Sequence, residues 1–153
     1  MAKKIFGYAI LAAAVGAVGW FFLLRPEQIN QEFLISDYAL HQQYYNDLAT
    51  YLTDKGISTE ITDIPTAGEK YPNVNYEDSK AYSAFMDAAM KLMETDRDKI
   101  TSDGRTVEFV IHSTGGVFTR KSASLYYTIE DFSPRPGAQP MSEKGWYYCI
   151  AAR

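Results

Sequence analysis

Asp37 and His41 stand four residues apart in a stretch whose apolar spacing is helical, so their side chains meet on one helix surface. In that arrangement a carboxylate orients an imidazole for proton transfer, the chemistry of a small hydrolase. A quieter reading competes with it. A helical wheel puts His41 in the middle of an apolar arc, between Leu48 and Leu52, where a packed histidine needs only one hydrogen bond. A working dyad also requires a third group, and local spacing names none.

The remaining reactive residue types offer less. His112 precedes Ser113 and Thr114, but a hairpin tip rich in Ser, Thr and Gly accounts for the same residues. Two histidines give no metal-ligand spacing. Asp96, Asp98 and Asp103 depart from a calcium loop because Ile100 and Thr101 occupy its fifth and sixth places, so a solvated turn is expected there. No metal and no cofactor are expected. Cys149 is the single cysteine, which excludes an intramolecular disulfide. Its alternation with Tyr148 and Ile150 reads as a small apolar residue in a strand. Met86, Met90 and Met93 share a helical face with Phe85, the pattern of core packing or of an adaptable peptide groove.

The connector from Ile129 to Gly145, with Pro134, Pro136 and Pro140, exceeds about 12 residues, a length at which connectors in compact domains are binding loops or else disordered proline-rich segments. Tyr126, Phe132, Arg135 and Trp146 lie in it or beside it. They combine rigid rings with a guanidinium, the residue types that dominate binding hot spots, and they are the candidate partner- or ligand-binding residues. The chain's 12 tyrosines fit the same picture, since Tyr brings large contact area and one hydroxyl.

Ile5 to Leu24 is an uncharged run of 20 residues, long enough to span a hydrocarbon core of about 30 Å. Trp20, Phe21 and Phe22 mark its distal end. A cleavable signal peptide is the rival, with Ala17-Val18-Gly19 at a cleavage-like spacing, but the apolar run continues through Phe21-Phe22-Leu23-Leu24. Lys3 and Lys4 before the span predict a cytoplasmic N-terminus at residues 1–4, an anchor at 5–24 and an extracytoplasmic domain thereafter, periplasmic or exterior. Ala9, Ala13 and Ala17 repeat every four residues, as do Ala12 and Gly16, a small face suited to self-association of the span. Setting Lys3, Lys4 and Arg25 aside from the 15 basic residues leaves 12 against 19 acidic ones, so the outer domain carries a net charge of −7. That balance, with no basic stripe, argues against nucleic acid as a partner.

The elements that must position these residues follow from periodicity. A stalk and first helix span residues 26–55, with Leu40, Tyr44, Leu48 and Leu52 on the apolar arc and Gly56 closing the helix. Ile57 to Ile64 reads as a strand, 65–76 as a loop, and Asp78 to Glu94 as a second helix capped by Asp78 or Asn75. The polar stretch 95–105 reads as a turn. Val107, Phe109 and Ile111 begin a strand, a three-residue loop at Thr114-Gly115-Gly116 pairs Ile111 with Thr119 and Val107 with Ala123, and Trp146 to Ala152 forms the last strand. The expected fold is α+β: a transmembrane helix, then a two-layer domain with two helices packed on an antiparallel sheet of about four strands, in the order α-β-α-β-β-β. Residues 56–153 complete that single domain.

Three function classes are compatible with these residues. The first is a membrane-anchored extracytoplasmic binding domain, an accessory, sensor or inhibitor serving a protein partner or small ligand of the cell envelope. The second is a pilin-like filament or secretion-assembly subunit. A membrane helix running into a long helix and a sheet is the outline of type IV pilins, but cutting after Gly7 puts Ala12 where those families carry Glu. The third is an envelope enzyme built on Asp37 and His41, and the binding domain is the expectation carried forward, with no enzymatic activity.

Overall fold

Asn30 stops being extended and starts a helix, its side-chain oxygen accepting from the Phe33 backbone N–H at 2.8 Å. From there the computed structural model describes residues 30–65, 79–95, 97–112 and 121–152. Helix α1 runs Gln31–Asp54 and buries Leu34, Tyr38, Tyr45, Leu48 and Leu52 along one stripe. Leu40, expected on that stripe, is 79% exposed because it sits at the rim of the arc rather than under it. Gly56, with φ +61, closes the helix as expected, and the Ile57 N–H reaches back to the Leu52 carbonyl at 2.8 Å.

Strand β1 occupies Ser58–Ile61, shorter than expected, and α2 occupies Ser79–Met93. Helix α2 buries Phe85, Ala89, Leu92 and Met93 against α1 and the sheet, while Met90 turns outward. Residues 66–76 of the expected loop, the proposed caps Asn75 and Asp78, the expected hairpin residues Thr114-Gly115-Gly116 and the segment Ile5–Leu24 lie outside the described residues. Among the described residues no helix is long and apolar enough to cross a membrane.

The stretch 95–105 departs from expectation. It forms β2, Arg97–Asp103, which lies between β1 and β3, Thr106–His112, in antiparallel register. A bulge between Arg97 and Lys99 inserts one residue, so that Arg97 and Ile100, three apart, both point into the core. The bulge and a buried cation at the head of the strand hide the period of two from the sequence. The turn is tight: Asp103 Oδ1 accepts from the N–H groups of Arg105 and Thr106 at 2.8 and 2.7 Å.

Strand β4, Lys121–Thr128, pairs with β3 four residues away from the expected register, matching Ile111 with Ala123 and Val107 with Tyr127. The shift is even, so Ala123, Leu125 and Tyr127 still share a face with Val107, Phe109 and Ile111. A two-residue strand β5, Gln139–Pro140, and β6, Trp146–Ala152, finish the sheet, whose order is β1-β2-β3-β4-β6-β5. The sheet thus has six strands rather than about four, all antiparallel, with both helices on one face. The other face carries Thr101, Glu108, Ser124, Tyr126 and Cys149, and among the described residues no helix covers it.

Candidate functional site

Asp37 does find a third partner, and it comes from 60 residues away. Arg97 Nη2 donates to Asp37 Oδ2 at 2.5 Å, and the Tyr45 hydroxyl donates to the same oxygen at 2.6 Å. Tyr45 in turn accepts from Arg97 Nε at 2.9 Å. The remaining terminal nitrogen of Arg97 donates to Thr95 Oγ1, to the Thr95 carbonyl at 2.8 Å and to the Leu92 carbonyl at 3.4 Å, where α2 runs out of intrahelical donors. One guanidinium therefore ties α1, the end of α2 and β2 together, with its side chain 2% exposed. Burial drives the Tyr45 hydroxyl far above its ordinary pKa, the Arg97 charge opposing the rise and the Asp37 charge adding to it.

His41 sits at the edge of this cluster. Its Nδ1 lies 3.2 Å from the Asp37 backbone carbonyl and 3.7 Å from Oδ1 of the carboxylate. Backbone angles of φ −114 and ψ 17 make it the one residue of α1 off the helical path. The carboxylate's strong partners are an arginine and a phenol, groups that fix its position and do not pass a proton to an imidazole.

Further round α1, the Tyr38 hydroxyl donates to Glu143 Oε2 at 2.7 Å, and Gln42 Nε2 donates to the other oxygen of Glu143. Asn46 Oδ1 accepts from the Trp146 indole at 3.0 Å. Burial, then the Glu143 carboxylate, pushes the Tyr38 hydroxyl upward as well. Trp146 is 2% exposed and packs on Tyr38, Tyr45, Phe109 and Tyr127. Trp146, expected beside the connector as a binding residue, pairs with Tyr127 and so lies on the helix-covered face, opposite Tyr126.

The helix-free face holds a second polar assembly. The Tyr126 hydroxyl donates to Glu108 Oε1 at 2.6 Å and accepts from Arg135 Nη1 at 3.2 Å, while the Ser124 hydroxyl also donates to Glu108 Oε1, at 2.8 Å. Burial raises the Tyr126 pKa, its bond to Glu108 adds to this, and the Arg135 bond opposes it. Thr101, Asp103, Thr106, Glu108, Tyr126, Pro134 and Arg135 surround an open depression of about 310 Å³. Residues 129–138 of the connector thus bend over the sheet far enough for Arg135 to reach Tyr126. Phe132, on the same connector, is 64% exposed.

Of the four residues expected to bind, Tyr126 and Arg135 are brought together, Phe132 stands free in solvent and Trp146 belongs to the core. Glu108 was missed. Its signal was present as a charged residue between Val107 and Phe109, which alternation alone assigns to solvent. Arg97 was missed too, and the clue to it is a basic residue just past a helix end. Cys149 is half-buried, on the same face as Ser124. His112 ends β3, and Ser113, Thr114 and Asp96 lie outside the described residues. Among the described residues no three His, Cys, Asp or Glu converge as a metal site would require.

No protein-family model matches the chain, and comparisons with curated proteins and with solved structures return no match.

Proposed function

We infer that the chain is a membrane-tethered, extracytoplasmic binding domain whose recognition surface is the helix-free face of its sheet, beneath the connector. The observation that carries this is the depression between β2, β3, β4 and Arg135, of about 310 Å³, at the lower end of the size range of small-ligand sites. It holds fixed polar groups and lies where nothing in the helical layer obstructs approach. Phe132 supplies an exposed ring on the same connector. Support for the tether is of a different kind: 20 uncharged residues follow Lys3 and Lys4, with the acidic residues all beyond them.

The two parts separate experimentally. Full-length protein in detergent, heated with low-molecular-weight fractions of envelope extract, unfolds at a higher temperature with at least one fraction, and Glu108→Gln abolishes the shift. A shift that survives the substitution, or none from any fraction, removes the binding surface from this face. External protease added to intact cells stripped of any outer barrier digests residues 26–153 and spares the span. Full protection of the domain refutes the topology.

A further inference from the structure

The depression presents opposite charges on either side of one phenol. Tyr126 bridges them, its oxygen 2.6 Å from the Glu108 carboxylate and 3.2 Å from the Arg135 guanidinium. Both hydroxyls that reach Glu108 arrive at Oε1, so Oε2 has no hydrogen-bond partner among the described residues. The Arg135 guanidinium makes one bond, to Tyr126, and pairs with no carboxylate among the described residues. On the acidic side Asp103 lines the same space, with its Oδ1 taken by the β2–β3 turn. The hydroxyl-bearing Thr101 and Thr106 complete a polar floor.

A ligand with one charge would leave the other protein charge unanswered, and an uncompensated charge in a partly desolvated site weakens binding. Two complementary charges on neighbouring atoms suit this spacing, because the Glu108 and Arg135 ends are no farther apart than two hydrogen bonds in series. An ammonium and a carboxylate on a single carbon meet that requirement. Arginine recognises a carboxylate through paired N–H donors, which Arg135 retains after its bond to Tyr126.

On the reading of this face as a binding surface, we propose that the depression is a site for a free α-amino acid, its ammonium held by Glu108 and Asp103 and its carboxylate by Arg135. The side chain of the ligand extends outward beneath Pro134, towards the open mouth.

Isothermal titration of the full-length protein in detergent tests this with the twenty proteinogenic α-amino acids, each compared with its decarboxylated amine and its deaminated acid. At least one amino acid binds, and removing either charge weakens it at least tenfold. Arg135→Gln, a substitution at an exposed position, lowers affinity for the amino acid tenfold while leaving the far-ultraviolet dichroism unchanged. Glu108→Gln acts on the ammonium in the same way. If the amine or the acid alone binds as tightly as the parent, the site reads a single charge and the proposal fails. If no amino acid binds while an envelope fraction still stabilises the protein through Glu108, the proposal fails and the binding surface stands. If neither binds, both fall.

Discussion

The molecule contains the same three groups twice, a carboxylate, a phenol and a guanidinium, in the same hydrogen-bonding order. In Asp37, Tyr45 and Arg97 the hydroxyl donates to the acid and accepts from the arginine, and in Glu108, Tyr126 and Arg135 it does so again. What differs is where the arginine stands. All three Arg97 nitrogens that bear protons are engaged with protein, and its side chain is sealed beneath α1. Arg135 comes from a surface connector and its guanidinium makes one bond among the described residues. Identical chemistry therefore fastens elements together in one place and leaves donors facing solvent in the other, and burial of the cation decides which.

The sharpest way to break this comparison is to delete each guanidinium. Arg97→Met leaves the half-buried Asp37 without its cation and removes every bond of a guanidinium that is 2% exposed, and is expected to cost about 3–5 kcal/mol in urea unfolding. Arg135→Met should change stability by no more than about 0.5 kcal/mol. Equal losses would erase the distinction between the two assemblies. Gly104→Ala comes next, because it strikes the hairpin that both assemblies share. Gly104 has φ +89, and an added Cβ would stand 2.8 Å from the backbone of Gly56. The expected loss is about 1–3 kcal/mol, with Arg97 and Asp103 displaced together.

Alkaline titration sharpens the contrast. Tyr45 and Tyr38 keep their protons in the folded protein well above the ordinary value of 10.0, whereas the unfolded chain releases them there. The folded state then binds more protons than the unfolded one, so stability is full below pH 10 and falls as pH rises beyond it. Each such tyrosine steepens the fall, the deeply buried Tyr45 most. Tyr126 contributes in the same direction. Tyr45→Phe should flatten the fall above pH 10 more than Tyr126→Phe does, and the reverse order would mean that the sheet-face phenol is the better shielded. His41→Ala is expected to cost about 1 kcal/mol or less in thermal unfolding. A stable variant that lost a measurable hydrolytic activity would instead restore a catalytic role to His41.

Periodicity revealed the elements whose apolar residues keep strict time. β6 has the expected limits, and the arcs of α1 and α2 predicted most of the buried set. Strand β2 escaped because its core positions hold Arg97, Ile100 and Ser102, a sequence that looks solvated unless the bulge at Asp98 and the hydrogen bond from Ser102 Oγ to the Ile57 carbonyl are known. The β3–β4 register could not be fixed from a turn motif, yet the faces were, since an even slip conserves them. The sites divide on the same line. Spacing found Asp37 with His41 but not Arg97, because a partner 60 residues distant leaves no local trace. It found Tyr126 and Arg135 through the length of the connector, and misplaced Trp146 because aromatic character does not tell which side of a strand faces the helices.

The break in α1 has a mechanical side. Ahead of His41, Asp37 and Tyr38 are clasped to β2 and to the turn before β6, through Arg97 and Glu143. Force applied at the Asn30 end of the helix is therefore shared with β2 and with the turn before β6. The turns beyond His41 hold the same two anchors through Tyr45 and Gln42, so the break is bridged on both sides.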